Sequence, residues 1–150
     1  MGIIVGEYFM KIAIQNKITI PQQFVKECET DVFIVKKDDP MGCLVVYPME
    51  TWKEELAILR AKLKEDITSQ EMQNYFRYFM KNTHKTKLIK HSSRITIPPA
   101  FLDLFNQEKD VVLIGLDHKF EIWPKSSYEE IENHYKKMNE QFAEIIGSKH

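Results

Sequence analysis

The segment Lys17-Ile18-Thr19-Ile20-Pro21 recurs as Arg94-Ile95-Thr96-Ile97-Pro98. No other feature of the 150 residues constrains the fold as strongly. The match continues through Phe24 and Val25 against Phe101 and Leu102, and only Gln22/Pro99 and Gln23/Ala100 change type. It resumes where Val32-Phe33-Ile34-Val35 parallels Val111-Val112-Leu113-Ile114. It resumes again where Leu44-Val45-Val46-Tyr47-Pro48 parallels Phe120-Glu121-Ile122-Trp123-Pro124. Past each final proline stands an aromatic residue, Trp52 or Tyr128. Matches kept in order at nearly constant spacing mark a duplicated unit, not a chance tetrapeptide.

Each copy has a physical reading. Ile-Thr-Ile alternates and is β-branched, which predicts a short strand. The proline ends that strand and suits the first turn of a helix, where its missing N–H leaves nothing unpaired. Short helices are expected over Gln22 to Lys26 and over Pro99 to Phe105. Two strands joined by a turn follow, with turns at Asp38-Asp39-Pro40-Met41-Gly42 and near Gly115 to Lys119. A further strand precedes each repeat motif, Tyr8 to Ile14 and Thr86 to Lys90. The unit is β-β-α-β-β.

Helices follow each unit. Trp52, Leu56, Leu59 and Leu63 share one helical face. Thr68 and Glu71 have the spacing of a capping box that opens a second helix with Met72, Phe76 and Phe79 on its apolar face. Ser126 and Glu129 have the same spacing. After them Tyr128, Ile131, Tyr135, Met138, Phe142 and Ile145 keep a three-four rhythm, as in a packing seam. The aromatic and Met stripes read as core or helix-contact surface, and the seam is long enough to leave room for a subunit contact. The expected fold is α+β: two β-β-α-β-β halves forming a pseudodimeric barrel, residues 1–48 and 83–124. A helical hairpin over 49–82 connects them and a long C-terminal helix spans 125–150.

Hydrophobic residues make up 43% of the chain, enough for a packed core, and the net charge is -1. A protein coated in basic charge is therefore excluded, and contact with nucleic acid must come from a local patch or from several chains together. Two cysteines, Cys28 and Cys43, fit a reduced cytoplasmic protein better than a disulfide-stapled secreted one. The apolar start Met1 to Gly6 lacks a basic region and a cleavage site, and no run is long enough to span a bilayer. No phosphate loop, H-E-x-x-H or nucleophile elbow occurs, the five histidines are scattered, and neither cysteine has metal-ligand spacing. No catalytic residue, metal site, cofactor, membrane contact or small-molecule substrate is expected.

The positive signal is basic. Lys81, His84, Lys85, Lys87, Lys90, His91 and Arg94 fall in one stretch without an acidic residue, which suits phosphate neutralisation. A charge run of this kind also serves as an ordinary solvated face. Lys17 and Arg94 occupy the same place in the two copies, each entering its strand from a tight loop, Gln15-Asn16-Lys17 or His91-Ser92-Ser93-Arg94. Two such loops on one side of a pseudo-twofold body match the symmetry of a duplex. The competing reading has Lys17 and Arg94 paired with carboxylates of neighbouring turns. The candidate DNA-binding residues are Lys17, Arg94, Asn16, Gln15, Ser93, Lys90, Lys87 and Lys85.

At these residues the sequence resembles the MraZ family of bacterial regulators, whose chains carry two AbrB-like halves. The resemblance rests on both basic-residue-plus-ITIP strands and on Cys43-Leu44-Val45-Val46-Tyr47-Pro48 running into Trp52. Phe120-Glu121-Ile122-Trp123 and the Phe76-Arg77 pair add to it. It implies a DNA-binding transcriptional regulator of a division and cell-wall gene cluster that includes its own operon. It also implies double-stranded DNA as partner, a homo-oligomer, as a ring in the family, and a cytoplasmic, nucleoid-associated location. Each family half carries a D-x-x-G-R loop whose arginine is linked to DNA binding. Here Ala13 and Lys90 stand at the aspartate positions and Asn16 and Ser93 at the glycines, while the arginine is kept only as Arg94, with Lys17 in the first half. Asn accepts positive φ more readily than Ser, and Lys17 keeps charge without the guanidinium fork. The alternative is a divergent scaffold or antitoxin-like interaction module of the same fold that does not read DNA directly.

Overall fold

The computed structural model describes residues 2–66 and 68–147. Strand β1 (Glu7–Lys11) leads through a 3-10 turn (Ile14–Asn16) into β2 (Lys17–Thr19) and helix α1 (Gln22–Lys26). Strands β3 (Val32–Asp38) and β4 (Cys43–Pro48) follow, then helices α2 (Met49–Asp66) and α3 (Ser69–Met80). The second copy has β5 (Thr83–Lys87), β6 (Arg94–Thr96), a 3-10 segment (Pro99–Phe105), β7 (Asp110–Gly115) and β8 (Phe120–Pro124). Helix α4 (Lys125–Gly147) comes last. The end of the expected C-terminal helix, 148–150, lies outside the described residues.

The strands form a six-stranded antiparallel sheet, ordered β1-β7-β8-β4-β3-β5, and a separate two-stranded ribbon, β2-β6. The sheet is open, with β1 and β5 at its edges, so the strands of the expected pseudodimeric barrel form an open sheet and a ribbon and do not close into a barrel. The order reads the same when each strand is exchanged for its counterpart in the other copy. The registers obey the same exchange: Ile18 faces Ile95 in the ribbon, and Val45 faces Glu121 where β4 meets β8. Each outer strand pairs with the other copy, β1 with β7 and β5 with β3, so the two halves are interleaved and not merely stacked.

The register corrects one sequence parallel. Phe33 pairs with Pro48 and Val111 with Pro124, which makes Phe33 the counterpart of Val111, one residue away from the match by eye. A shift of one residue exchanges the two faces of a strand. Phe33 and Val35, like Val111 and Leu113, enter the core between sheet and ribbon, whereas Val112 lies on the other face with Trp123 and Tyr128. The strands before the motifs also begin and end earlier than expected, at 7–11 and 83–87.

The main core sits between the two layers. Ile18, Ile20, Ile95 and Ile97 project inward from the ribbon side onto Phe24, Phe33, Leu44, Val46, Phe120 and Ile122. This is why the motif reads Ile-Thr-Ile: its isoleucines are buried and its threonine stays half-exposed. An N-terminal arm closes one corner, where Ile4 is fully buried and exchanges backbone hydrogen bonds with Asp117. A Cβ at Gly115 would come within 2.7 Å of the Ile4 backbone, so that close approach requires glycine.

The opposite face of the sheet is covered unequally. Under β3 and β4, α2 buries Trp52 and Leu63, and α3 lays Phe79 over Trp52 at 5.5 Å with the rings nearly parallel. Thr68 caps α3 as its spacing predicts, accepting from the Glu71 N–H at 3.3 Å. Lys36 lies 4.2 Å from the centre of the Phe79 ring and donates to the Phe79 carbonyl at 2.6 Å; burial pulls its ammonium below the usual lysine range. Under β7 and β8 only the first turns of α4 pack. Ser126 is not the cap of α4, because the helix already begins at Lys125; its N–H and hydroxyl are taken by Glu108. Tyr128 is buried, with its hydroxyl donating to Glu7, but Tyr135, Met138, Phe142 and Ile145 are exposed. Within one chain the expected seam therefore packs at Tyr128 and Ile131 and is solvent-exposed from Tyr135 onward. It borders a groove of about 750 Å³ lined by Ile114, Leu116, Trp123, Ile131 and Tyr135. Among the described residues no helix is long and apolar enough to cross a membrane.

Candidate nucleic-acid interface

The ribbon turns one face to the core and the other outward. With Ile18 and Ile95 inside, Lys17, Thr19, Arg94 and Thr96 stand outside, and the register sets Lys17 opposite Thr96 and Arg94 opposite Thr19. The outer face is thus a quartet of two cations and two hydroxyls, placed about the line on which the copies exchange. Thr19 and Thr96 were not singled out by sequence reasoning. The signal was present: once both isoleucines of Ile-Thr-Ile are assigned to the core, the threonine must face out beside the basic residue.

The two loops are each closed by a bridge, Ala13 to Lys17 and Ile89 to Arg94, so the second loop is one residue longer. Both glycine positions of the family pattern are left-handed here. Asn16 has φ 59° and Ser93 has φ 54°, and Gln15, at φ 59°, adds a second left-handed residue to the first loop. Each corner is tied to the other copy: the Ile20 N–H donates to the Ser93 carbonyl and the Ile97 N–H to the Asn16 carbonyl, both at 2.8 Å.

The side chains are held differently. Lys17 donates to Gln15 in its own loop at 3.3 Å. Arg94 donates through Nε to the Thr19 hydroxyl at 3.2 Å, across the ribbon and into the other copy. Gln22, which was not among the candidate DNA-binding residues, donates to the Ser93 hydroxyl at 2.7 Å. Among the described residues neither Lys17 nor Arg94 lies within salt-bridge distance of a carboxylate. The pairing of these cations with neighbouring acids is not the arrangement found.

The other basic candidates are distributed. Lys87 and Lys90 approach Asp31 of the first copy at 3.9 and 3.8 Å, so the run without internal acids meets a carboxylate from elsewhere. Both lysine side chains are largely solvent-exposed, and such pairs are weak. Lys90 adjoins the Arg94 loop, lining a shallow depression with Gln22 and Ser93. Lys85 pairs with Ile34 and Lys87 with Val32, on the sheet face opposite Phe33 and Val35. The structure therefore brings Lys17, Arg94, Gln15, Asn16, Ser93 and Lys90 together and directs Lys85 away from them.

No group of histidine, cysteine or carboxylate side chains among the described residues could hold a metal ion. Cys28 donates to the Phe24 carbonyl, and burial with Glu50 and Glu27 nearby pushes its thiol up to about 12. Cys43 is fully buried and its thiol is likewise raised. Neither has the character of a nucleophile.

Comparison with known proteins bears on the whole chain. Residues 80–146 match the MraZ protein family model, whose description adds an antitoxin-like character. The transcriptional regulator MraZ of Clostridium tetani (strain Massachusetts / E88) is 30% identical over 94% of this chain and 97% of its own length. That of Thermoanaerobacter sp. (strain X514) is 31% identical over 95% and 96% respectively. That of Bacteroides fragilis (strain ATCC 25285) is 33% identical over 84% and 80%. The interleaved repeats, the paired basic corners and this end-to-end similarity place the chain in the MraZ family.

Proposed function

We propose that this chain is a DNA-binding transcriptional regulator that meets the duplex with the outer face of the β2-β6 ribbon. One observation carries the reading: Lys17, Arg94, Thr19 and Thr96 form an acid-free face with the symmetry of the two copies. A two-stranded ribbon fits the major groove of B-DNA, where arginine grips guanine through two bonds and a threonine hydroxyl serves as donor or acceptor. Gln15, Asn16, Ser93 and Lys90 border that face, and their amides and side chains suit phosphate contacts. Lys85 and Lys87 contribute at longer range, through the field of the basic segment.

In this reading the repeats, 1–48 and 83–124, form the DNA-facing body, and the segments 49–82 and 125–150 supply helices for support and assembly. The ribbon face of one body carries two cations, whereas steep salt dependence needs roughly six to ten phosphate contacts. Several chains on repeated sites supply them, so the active form is a homo-oligomer, a closed ring where the contact is head-to-tail. The open groove beside α4 is where copies meet. In the first half Phe79 of α3 lies over Trp52 and Lys36, while Trp123, Ile114 and Ile131 line an open groove. The regulated genes are those of a division and cell-wall cluster that includes the chain's own operon, and the working location is the cytoplasm, at the nucleoid.

The test is a gel shift with the DNA immediately upstream of the gene at two salt concentrations. A specific complex that weakens steeply with salt supports the reading. A second reading, an antitoxin-like module that binds protein and not DNA, is favoured by the apolar groove. Tight capture of a protein partner with no shift on any DNA would establish it instead.

A further inference from the structure

The two basic corners are related by the exchange of copies, but their bracing is not. Ser93 holds a left-handed φ of 54° without glycine's freedom and without the local amide that lets asparagine tolerate that region. It is buried, and its hydroxyl accepts from Gln22 Nε2 at 2.7 Å. Gln22 follows Pro21 at the start of α1, so this bond joins the first half of the chain to the loop of the second. The residue following the equivalent proline, Pro98, is Pro99, which has no donor to offer. The corner at Asn16 thus relies on asparagine's own preference, while the corner at Ser93 relies on a brace from the other copy. The cations follow the same division. Arg94, next to Ser93, is anchored across the ribbon on Thr19, whereas among the described residues Lys17 reaches Gln15 in its own loop alone.

We infer that Gln22 is a positioning residue: it fixes the left-handed Ser93 corner, presets Arg94, and makes the Arg94 corner the specificity half of an unequal pair. The inference rests on the proposal that the ribbon meets DNA. It adds that the two half-sites are read differently, sequence by the braced arginine corner and phosphate by the looser lysine corner. Preorganisation matters for the arginine because a bidentate contact tolerates little angular error, whereas an ammonium acts as a point charge.

The test compares wild type with Gln22→Ala, Ser93→Gly and the double variant. Each is titrated with a duplex of the upstream DNA and with a scrambled duplex of equal length. A lost hydrogen bond predicts that Gln22→Ala weakens the upstream duplex about fivefold and the scrambled duplex hardly at all. Glycine adopts the corner unaided, so Gln22→Ala added to Ser93→Gly should change nothing further. If Gln22→Ala has the same effect in both backgrounds, Gln22 touches DNA itself and the inference fails; it fails too if Gln22→Ala is silent in the wild type. Hydrogen exchange on the free protein separates this from the DNA reading. Gln22→Ala should speed exchange of the Ile20 amide, which is bonded to Ser93, but not of the Ile97 amide, which is bonded to Asn16. If no duplex binds any variant but this exchange pattern appears, the brace stands and the DNA reading falls. If both amides respond alike, the brace itself is refuted.

Discussion

Arg94 Nε donates to the Thr19 hydroxyl at 3.2 Å, joining the second copy's cation to the first copy's strand. Among the described residues Lys17 has no such anchor and donates to Gln15 in its own loop. The two cations should therefore fail differently. Arg94→Ala is expected to remove about 1–3 kcal/mol of discrimination between the correct and a mismatched site, the usual worth of a bidentate base contact. Lys17→Ala is expected to weaken all duplexes alike and to flatten the salt slope by about one unit. Fluorescence anisotropy at several salt concentrations reads both, with melting temperature measured on the same samples. A folded Arg94→Ala protein with unchanged discrimination would remove the assignment.

The duplication was legible because it is written in residue types that physics uses in only one way. Ile-Thr-Ile-Pro can bury its isoleucines only from one side of a strand, and both copies do so. What the sequence did not show was pairing between copies. The match of Val32 with Val111 looked correct residue by residue, yet the ladders set Phe33 against that position. Strand register is decided by cross-strand partners distant in the chain, and a local run of β-branched residues fits either alignment. The site was half legible for the same reason. Lys17 and Arg94 are visible as equivalents, but Gln22 and Asp31 enter the second loop's surroundings only through the interleaved fold.

Phe79 ties three things together: it stacks on Trp52, lies beneath the Lys36 ammonium, and offers its carbonyl to that same ammonium. Phe79→Ala keeps the carbonyl but removes the ring. The expected loss is about 2 kcal/mol, below the range for a fully buried phenylalanine because Phe79 is only half-buried. Trp52 would then face water, and its fluorescence should shift to the red before any unfolding. A variant with wild-type stability would show that α3 is held elsewhere along its length.

Cys28 should be inert in the native protein. Burial pushes its thiol from the ordinary 9.0 up to about 12, so at pH 8 on the order of one molecule in ten thousand carries the thiolate. Iodoacetamide at pH 8 should label it slowly when folded and rapidly in denaturant. The same shift has a stability consequence. A thiol raised in the folded state leaves stability intact below pH 9 and removes it as pH climbs toward 12, because the unfolded chain ionises first. Rapid native labelling of Cys28 at pH 8 would contradict the raised thiol.

Helix α4 leaves Phe142 and Ile145 at 64% and 60% exposure, with Met138 and Tyr135 continuing the same stripe toward the groove beside Trp123. A monomer would hold that apolar line in water, and an exposed contiguous stripe of this kind marks a contact surface. In the first half α3 lays Phe79 on Trp52, the counterpart of Tyr128, and no such helix follows α4 among the described residues. Phe142→Glu with Ile145→Glu is therefore expected to lower the mass measured by light scattering at micromolar protein while leaving the sheet and its core intact. Tyr78, exposed on α3 at 73%, is the control, and Tyr78→Glu should leave the mass unchanged. DNA affinity should fall with the mass. Linked binding gains about a hundredfold or more over single contacts, and chains released from the assembly lose that gain without losing a reading residue. A wild-type mass equal to one chain would refute the homo-oligomer, and an unaltered mass in the double variant would place the subunit contact away from α4.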